Sequence, residues 1–278
     1  MCLTDWADVK HEDQYEVIAV RYGDLATSRS DVFLNYSDYR EPDGPEQLAY
    51  YFWIARNDVR TFLLDTGFSP AVGARRGRRT HIDPREAWEA LGIADDASTT
   101  VVLSHAHYDH IGNAGHFSNA RFVMADAEFD FWVRHPRDQH LTRQVIEPSE
   151  LQVLSDLQAA GRLQLISDSE ELAPGLELLI CPGHTPGQIM VRVNTATGAL
   201  LLAADAVHLD EELDRKMPFR HMCDIVAAAD SYTLVEQLRA DGHVSDVIAG
   251  HEPSLMERFA PHPALPEHAI VLGSRLVG

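Results

Sequence analysis

Histidine and aspartate side chains are concentrated in one short segment of the sequence. Three histidines and one aspartate fall between positions 105 and 110, in the order His105, His107, Asp109 and His110. Imidazole and carboxylate groups together are ligands that suit zinc, and they also suit iron, cobalt and manganese. The spacing therefore predicts a metal site rather than a loop of solvated histidines.

Three more residues of these types lie farther along the chain, each after an apolar segment. His184 follows LELLICPG, Asp205 follows ALLLAA and His251 follows DVIAG. Because α/β sheets place ligand sites at the carboxyl ends of their strands, we expect these side chains to meet the first cluster at one edge. Five histidines and two aspartates make a ligand set for two metal ions, which lower the pKa of a shared water and create a hydroxide nucleophile.

The apolar segments that must position these residues are typical of an α/β protein. Thr99–Ser104 is a short continuous apolar run, which favours a strand buried on both faces. Leu48–Ala55 and Arg60–Leu64 flank a short polar turn and predict a hairpin. Ile225–Ala240 has the pattern of an amphipathic helix, and Asp246–Ala249 is the last clear strand.

Length, composition and charge narrow the class of protein. The chain has 278 residues, of which 45% are apolar, and 23 basic against 43 acidic residues give a net charge of −20. This excess of negative charge disfavours nucleic acid and anionic membranes as partners. We find no linker or repeat, so we expect one domain over residues 1–278.

Cysteine content and the N-terminal segment bear on the cellular compartment. The three cysteines form no CxxC pair, which disfavours a disulfide framework and a cysteine zinc site. Met1–Glu16 is acidic and lacks the apolar stretch of a signal peptide. The apolar runs, Ala199–Ala204 among them, are far shorter than the roughly 20 residues of a membrane span. We therefore expect a cytoplasmic protein.

The order of the motifs resembles the metallo-β-lactamase superfamily. HxHxDH is followed by a histidine in a Pro-Gly-His-Thr-Pro-Gly turn, then by an aspartate and a last histidine, and the Asp65-Thr66-Gly67 turn also matches. The resemblance extends from about Leu48 to His251 and implies an αββα sandwich with a dinuclear metal site at the edge of the β layers. By motif position it implies a first metal on His105, His107 and His184, a second on Asp109, His110 and His251, and Asp205 as a bridge.

Within the superfamily, the layout is most similar to the N-acyl homoserine lactone lactonases. The similarity lies in the acidic N-terminal section with Tyr36 and Tyr39, the Asp65–Phe68 turn and the chain length. It implies a quorum-quenching hydrolase in which a hydroxide that bridges two divalent metal ions opens a lactone ring. Zinc is the expected metal, and iron, cobalt and manganese are the alternatives. The substrate would be a small lactone or ester. Because such lactonases often form dimers, the resemblance also implies a homodimer.

Two other functions stay open at this point. A glyoxalase II-like thioesterase, or another small ester or amide hydrolase, would use the same metal site. Thioesterases of that type bind the anionic glutathione tail with basic residues, often in a C-terminal extension. Here only 27 residues follow His251, and they include no lysine. A ligand-binding sensor with slow turnover is the other alternative.

One position departs from the lactonase pattern. Those lactonases place a tyrosine three residues after the bridging aspartate, whereas this chain has His208 there. An imidazole at this position could donate a hydrogen bond or a proton to the leaving alkoxide, or it could pack as a neutral ring in the pocket wall. Asp109 and His208 are accordingly the candidate catalytic residues.

The substrate contacts are expected on two loop segments. Asp126–Arg134 and Met217–Met222 are candidate lids, and the candidate substrate-binding side chains on them are Phe129, Trp132, Phe219 and Met222. If they line a pocket rather than the core, the pocket is apolar and fits an acyl chain or an aromatic ring. The basic cluster Arg75–Arg79 could hold an anionic group, but we expect it to be a solvated loop. Because there is little positive charge near the two lid segments, a strongly anionic substrate is disfavoured.

Overall fold

Two β-sheets lie face to face in the computed structural model, which describes residues 13–136 and 140–275. The acidic segment used above to predict the compartment falls mostly outside these residues. The strands are β1 (Glu16–Ser28), β2 (Pro45–Arg56), β3 (Thr61–Leu64), β4 (Arg79–Thr80), β5 (Thr99–Val102), β6 (Arg121–Ala125), β7 (Leu163–Ile166), β8 (Glu170–Ala173), β9 (Leu176–Ile180), β10 (Ile189–Thr195), β11 (Gly198–Ala204), β12 (Asp246–Ala249), β13 (Phe259–Pro261) and β14 (Ala269–Arg275).

Within the described residues, nine strands form the first sheet in the order β13-β14-β1-β2-β3-β5-β6-β7, with β4 paired to β1. Five strands form the second, in the order β12-β11-β10-β9-β8. The helices are α1 (Arg29–Val32), α2 (Pro70–Arg75), α3 (Pro84–Ala90), α4 (Tyr108–Ile111), α5 (Asp126–Phe129), α6 (His140–Gln144), α7 (Pro148–Ala159), α8 (Asp210–Arg215), α9 (Ile225–Ala240) and α10 (Leu255–Arg258). Short 3-10 turns cover Tyr36–Tyr39 and Ala114–His116, and a π-helical turn covers Asp130–Arg134.

Side chains of the first sheet alternate between two apolar layers. Val17 and Ala19 on β1 pack in the layer between the sheets, whereas Ile18 and Val20 face the layer under α3 and α7. This alternation follows from the two-residue period of a strand. Helix α9 covers the outer face of the second sheet. The predicted αββα sandwich is therefore confirmed.

The parallel strands that carry the candidate site are also confirmed. Strand β2 pairs antiparallel with β3, as the predicted hairpin requires. Strand β5 lies between β3 and β6 and is parallel to both. Its side chains are buried on either face, Val101 in the layer under the helices and Val102 in the layer between the sheets. Because parallel strands share an orientation, the loops after β3 and β5 leave the sheet at the same edge.

The C-terminal part of the chain differs from the prediction. Asp246–Ala249 is not the last strand, because β13 and β14 follow it and β14 pairs antiparallel with β1, with Val17 opposite Leu272. The proline-rich stretch before β14 obscured this strand in the sequence, since proline is depleted in strands. None of the helices in the described residues is long and apolar enough to cross a membrane.

Candidate metal centre

The loop after β5 brings the first histidines to the sheet edge, and a buried aspartate holds it there. Asp65, which follows β3, accepts hydrogen bonds from the backbone N–H of Ser104 (2.7 Å) and from its hydroxyl (2.8 Å). The second oxygen of Asp65 also lies 2.8 Å from Nδ1 of His110. One carboxylate thus fixes both ends of the HxHxDH segment.

A tight turn positions His184 opposite this loop. Gly183 has a φ of +145°, and a Cβ at this position would lie 2.5 Å from the backbone of Ala228. A side chain is excluded here both by the backbone conformation and by the close approach of α9. The turn places Nε2 of His184 2.9 Å from Nδ1 of His107.

Seven buried side chains form two adjacent groups. In each group, one ligand atom per residue lies within 4.8 Å of the others. The first group consists of His105, His107, His184 and Asp205, and the second consists of Asp109, His110 and His251.

Asp205 lies between the two groups and offers one oxygen to each. Its Oδ2 is 3.3 Å from Nε2 of His184 and 3.7 Å from Nε2 of His105. Its Oδ1 is 3.1 Å from Nε2 of both His110 and His251. This is the geometry that a bridging carboxylate needs.

The donor set fits divalent cations. Nε2 of His105 is buried and has no hydrogen-bond partner among the described residues, and Nε2 of His110 lies 3.1 Å from the Asp205 carboxylate. The opposite nitrogens are occupied, because Nδ1 of His105 contacts the Ser104 hydroxyl (3.0 Å) and Nδ1 of His110 lies 2.8 Å from the Asp65 carboxylate. Such contacts fix the tautomer and aim the free nitrogen at a metal.

Burial and neighbouring charges shift the pKa values in the cluster. Burial, reinforced by nearby histidines, lowers the pKa of His105, His107 and His184 well below the usual range. Burial opposes the charged form of His110 as well, but the Asp205 and Asp65 carboxylates outweigh it and raise that pKa. Burial would raise the pKa of Asp205, and the surrounding histidines lower it instead. The three histidines with a lowered pKa are neutral imidazoles, which is the protonation state that binds metal. His110 would release a proton when a cation binds.

Comparison with known proteins places the chain in a family. Residues 45–241 match the family model of the metallo-beta-lactamase superfamily. The chain belongs to this superfamily. The matched segment contains six of the seven clustered residues, and His251 follows it.

Individual members of the superfamily match this chain over different lengths. An N-acyl homoserine lactonase of Bacillus cereus is 28% identical over 163 residues, which are 58% of this chain and 59% of that protein. The match therefore spans less than two thirds of that relative. A crystal structure of a quorum-quenching N-acyl homoserine lactone lactonase aligns with a TM-score of 0.70 at 20% identity, covering 87% of this chain and 94% of the other. AidC, a dizinc quorum-quenching lactonase, gives a TM-score of 0.69 at 19% identity and 97% coverage of both chains.

In this superfamily member, His208 is fully buried beside the two groups. Its Nε2 is 3.2 Å from Oδ2 of Asp205, and its Nδ1 is 3.2 Å from Oε1 of Glu212. The ring stacks on Phe219 with centroids 3.7 Å apart and planes 13° from parallel. Burial lowers the pKa of His208, but the carboxylates of Glu212 and Asp205 raise it to about 9. The hydroxyl of Tyr232 donates to the same Glu212 (3.1 Å).

Glu128 is a functional candidate that the sequence did not reveal. Its buried carboxylate accepts hydrogen bonds from the backbone N–H of Ala106 (2.9 Å) and of Gly187 (2.9 Å), and from the indole of Trp132 (2.7 Å). It therefore ties the HxHxDH loop to the His184 turn. The only sequence signal is the i,i+4 spacing of Glu128 and Trp132 on one helix face.

Two cavities open beside the clustered residues. The first, of about 320 Å³, is bordered by members of both groups and by His208 and Phe219. The second, of about 290 Å³, is bordered by Trp132 and Met222 and shares His107 and His184 with the first. Three of the four predicted substrate contacts thus line a cavity at the cluster.

Phe129, the fourth predicted substrate contact, lies elsewhere. It is buried in the apolar layer under α7 and borders neither cavity, and the Arg134 guanidinium lies 5.1 Å from its ring centroid. The helical spacing explains the difference, because Glu128 and Trp132 share the face toward the site and Phe129 lies on the next face.

The basic cluster also differs from the expected solvated loop. Arg75 and Arg76 both form ion pairs with Glu147, at 3.0 and 2.9 Å. Arg76 and Arg78 border the first cavity. Arg79 is exposed, as predicted.

Proposed function

We propose that the protein is a dinuclear metal-dependent hydrolase that opens the ring of an N-acyl homoserine lactone or a related lactone, the chemistry of quorum quenching. The observation that carries the proposal is Asp205, whose two oxygens face two separate histidine groups. The similarity to proteins named N-acyl homoserine lactonases supports the choice of a lactone. The low identity leaves that choice to experiment.

The clustered residues would hold the cations in two sets. We assign His105, His107 and His184 to the first ion, Asp109, His110 and His251 to the second, and Asp205 to both. We propose zinc, since imidazole and carboxylate ligands suit it. Two divalent cations held there supply Lewis acidity toward a carbonyl and toward water.

We propose that His208 delivers a proton to the ring oxygen that leaves. Glu212 engages Nδ1, so Nε2 faces the cluster, and stacking on Phe219 fixes the plane of the ring. A general acid must be within hydrogen-bond reach of the reacting atom, and Nε2 is the atom of His208 placed for this. Asp109 borders the same cavity, so its carboxylate can accept a proton near the reacting centre.

The walls of the cavities suit a small substrate with an apolar part. Trp132 and Met222 border the second cavity and Phe219 borders the first. Clefts of about 300–1,000 Å³ lined in this way hold small ligands. We propose that these three side chains contact the acyl chain.

The test is proton release at neutral pH by the metal-loaded protein. The substrates are N-acyl homoserine lactones of several chain lengths, simple γ-lactones and a glutathione thioester. We expect turnover of the acylated lactones, and we expect His107→Ala and Asp205→Asn to abolish it and lower the metal content. Turnover of the thioester alone would assign the protein to the thioesterases, and full activity of either variant would refute the proposed site.

A further inference from the structure

Arg78 differs from the other arginines of its cluster because it is half-buried at the metal centre without an acidic partner. Arg75 and Arg76 share the carboxylate of Glu147, and Arg79 is exposed. Arg78 borders the same cavity as both ligand groups. Among the described residues, no carboxylate lies within ion-pair distance of it.

The guanidinium of Arg78 is held in a fixed orientation. Its Nε donates to the hydroxyl of Tyr108 (2.9 Å), and its Nη1 donates to the carbonyl oxygen of Arg76. The Arg76 guanidinium lies over the Tyr108 ring, 4.1 Å from its centroid, and this helps to fix that ring. Since Tyr108 immediately precedes Asp109 in the chain, Arg78 is anchored to the loop that carries the ligands.

We propose that Arg78 binds a carboxylate of the substrate, at a position away from the bond that is hydrolysed, and thereby determines specificity. Burial disfavours the charged guanidinium, but Tyr50, Tyr108 and the field of Asp109 together hold its pKa above the usual value. Arg78 is therefore a cation at the cavity wall that a substrate carboxylate can meet. A guanidinium presents parallel donors that match a carboxylate.

The second cavity completes the description of the substrate. It shares His107 and His184 with the first cavity. Its wall includes Leu34, Trp132 and Met222, and its one arginine, Arg220, is already paired with Asp31 at 2.7 Å. A molecule reacting between the cavities therefore meets a cation on one side and apolar side chains on the other. The substrate class is an ester or lactone with a carboxylate in one arm and an apolar group in the other, whereas the sequence alone disfavours a strongly anionic substrate.

This inference rests on the proposed function, and two matched lactones test it. One γ-lactone carries an alkyl chain, and the other carries the same chain ending in a carboxylate. We expect the wild type to prefer the carboxylate lactone in kcat/KM. Arg78→Met should lower the ratio of the two kcat/KM values by roughly ten- to one-hundred-fold, the range for a hydrogen bond to a charged group.

Arg79→Met is the matched control, because it removes the same charge from an exposed neighbouring position. We expect it to leave the ratio as in the wild type, and Arg78→Lys should restore part of the preference. An equal loss for both lactones in Arg78→Met would reduce Arg78 to a structural role. An equal fall of the ratio in Arg79→Met would assign the effect to long-range charge, and either result would overturn the inference.

A binding measurement separates this inference from the proposed function. Calorimetry of the metal-loaded protein with glutarate and butyrate should give tighter binding of glutarate, with an advantage that Arg78→Met removes. If neither lactone is hydrolysed but this pattern holds, the proposed function fails and the anion site stands. If the alkyl lactone is hydrolysed but glutarate and butyrate bind equally, the function stands and the inference fails.

Discussion

Asp65→Asn should weaken the second metal site selectively. Asp65 is fully buried at the end of β3, and its three contacts are the Ser104 amide, the Ser104 hydroxyl and Nδ1 of His110, all at 2.7–2.8 Å. Its φ of +63° lies in the left-handed region, which asparagine tolerates well, so the substitution keeps the backbone. The variant therefore changes the contacts and leaves the turn intact.

The magnitude follows from which contact an amide can replace. The side-chain oxygen of asparagine can still accept from the Ser104 amide, but its NH₂ group would then face His110 Nδ1. His110 loses the acceptor that keeps a proton on Nδ1 and leaves Nε2 free toward the cluster. Loss of such a partner typically reduces metal affinity about 10- to 100-fold, or about 1.4–2.8 kcal/mol.

The assay is stepwise zinc binding in competition with a chelator. We expect two binding steps in the wild type, and in Asp65→Asn we expect one to weaken and the other to stay. Asp24→Asn is the control, because Asp24 also contacts a histidine, His81 at 2.8 Å, that belongs to neither ligand group. Wild-type affinity for both ions, or equal loss of both, would refute the assignment of His110 to a separate ion.

Three further substitutions test the groups around the site. Glu128→Gln should lower the free energy of unfolding, measured by urea denaturation, by about 1.5–3 kcal/mol, since an amide can replace only one of the two accepting oxygens. An unchanged midpoint of the urea unfolding curve would contradict this. Burial raises the pKa of Glu150 to about 8, so its ionisation destabilises the fold as pH rises from about 4.5 to 8. Glu150→Gln should therefore equal the wild type at pH 4 and exceed it by up to about 5 kcal/mol at pH 9, and a gain independent of pH would refute the cause. Glu212→Gln should lower kcat more than it raises KM, because it weakens the orientation of His208, and a pure KM effect would argue against that role.

The clustered residues could be predicted because each follows a strand. Strands that run in one direction carry their following loops to one edge, and β9, β11 and β12, which precede His184, Asp205 and His251, do so in the second sheet. The packing of the two sheets brings this edge to His105, which follows β5 of the first sheet. The hairpin and α9 could be predicted for a different reason, because the apolar pattern of each lies within one short stretch of the sequence. What the sequence shows well is the pattern within one element and the edge at which that element ends.

Contacts between distant loops could not be predicted in this way. Arg76 and Arg78 are separated by one glycine and both border the first cavity, yet only Arg76 pairs with Glu147. That difference depends on where the 140–147 segment lies, and no local pattern specifies it. Glu128 likewise gains its role only when the loop of Ala106 lies beside it.

Charge balance explains why so many acidic groups are buried at one edge. Asp65, Glu128 and Glu212 are fully buried around the cluster, and two aspartates belong to the ligand groups. Counted as formal charges, these five carboxylates exceed two divalent cations by one, and the protonated His208, whose pKa is raised to about 9, supplies the remaining positive charge at neutral pH. The charge of Arg78 lies outside this balance and is available to an anionic group of the substrate. Removing Arg78 should therefore weaken the binding of a carboxylate and leave the charge balance of the metal centre as it is.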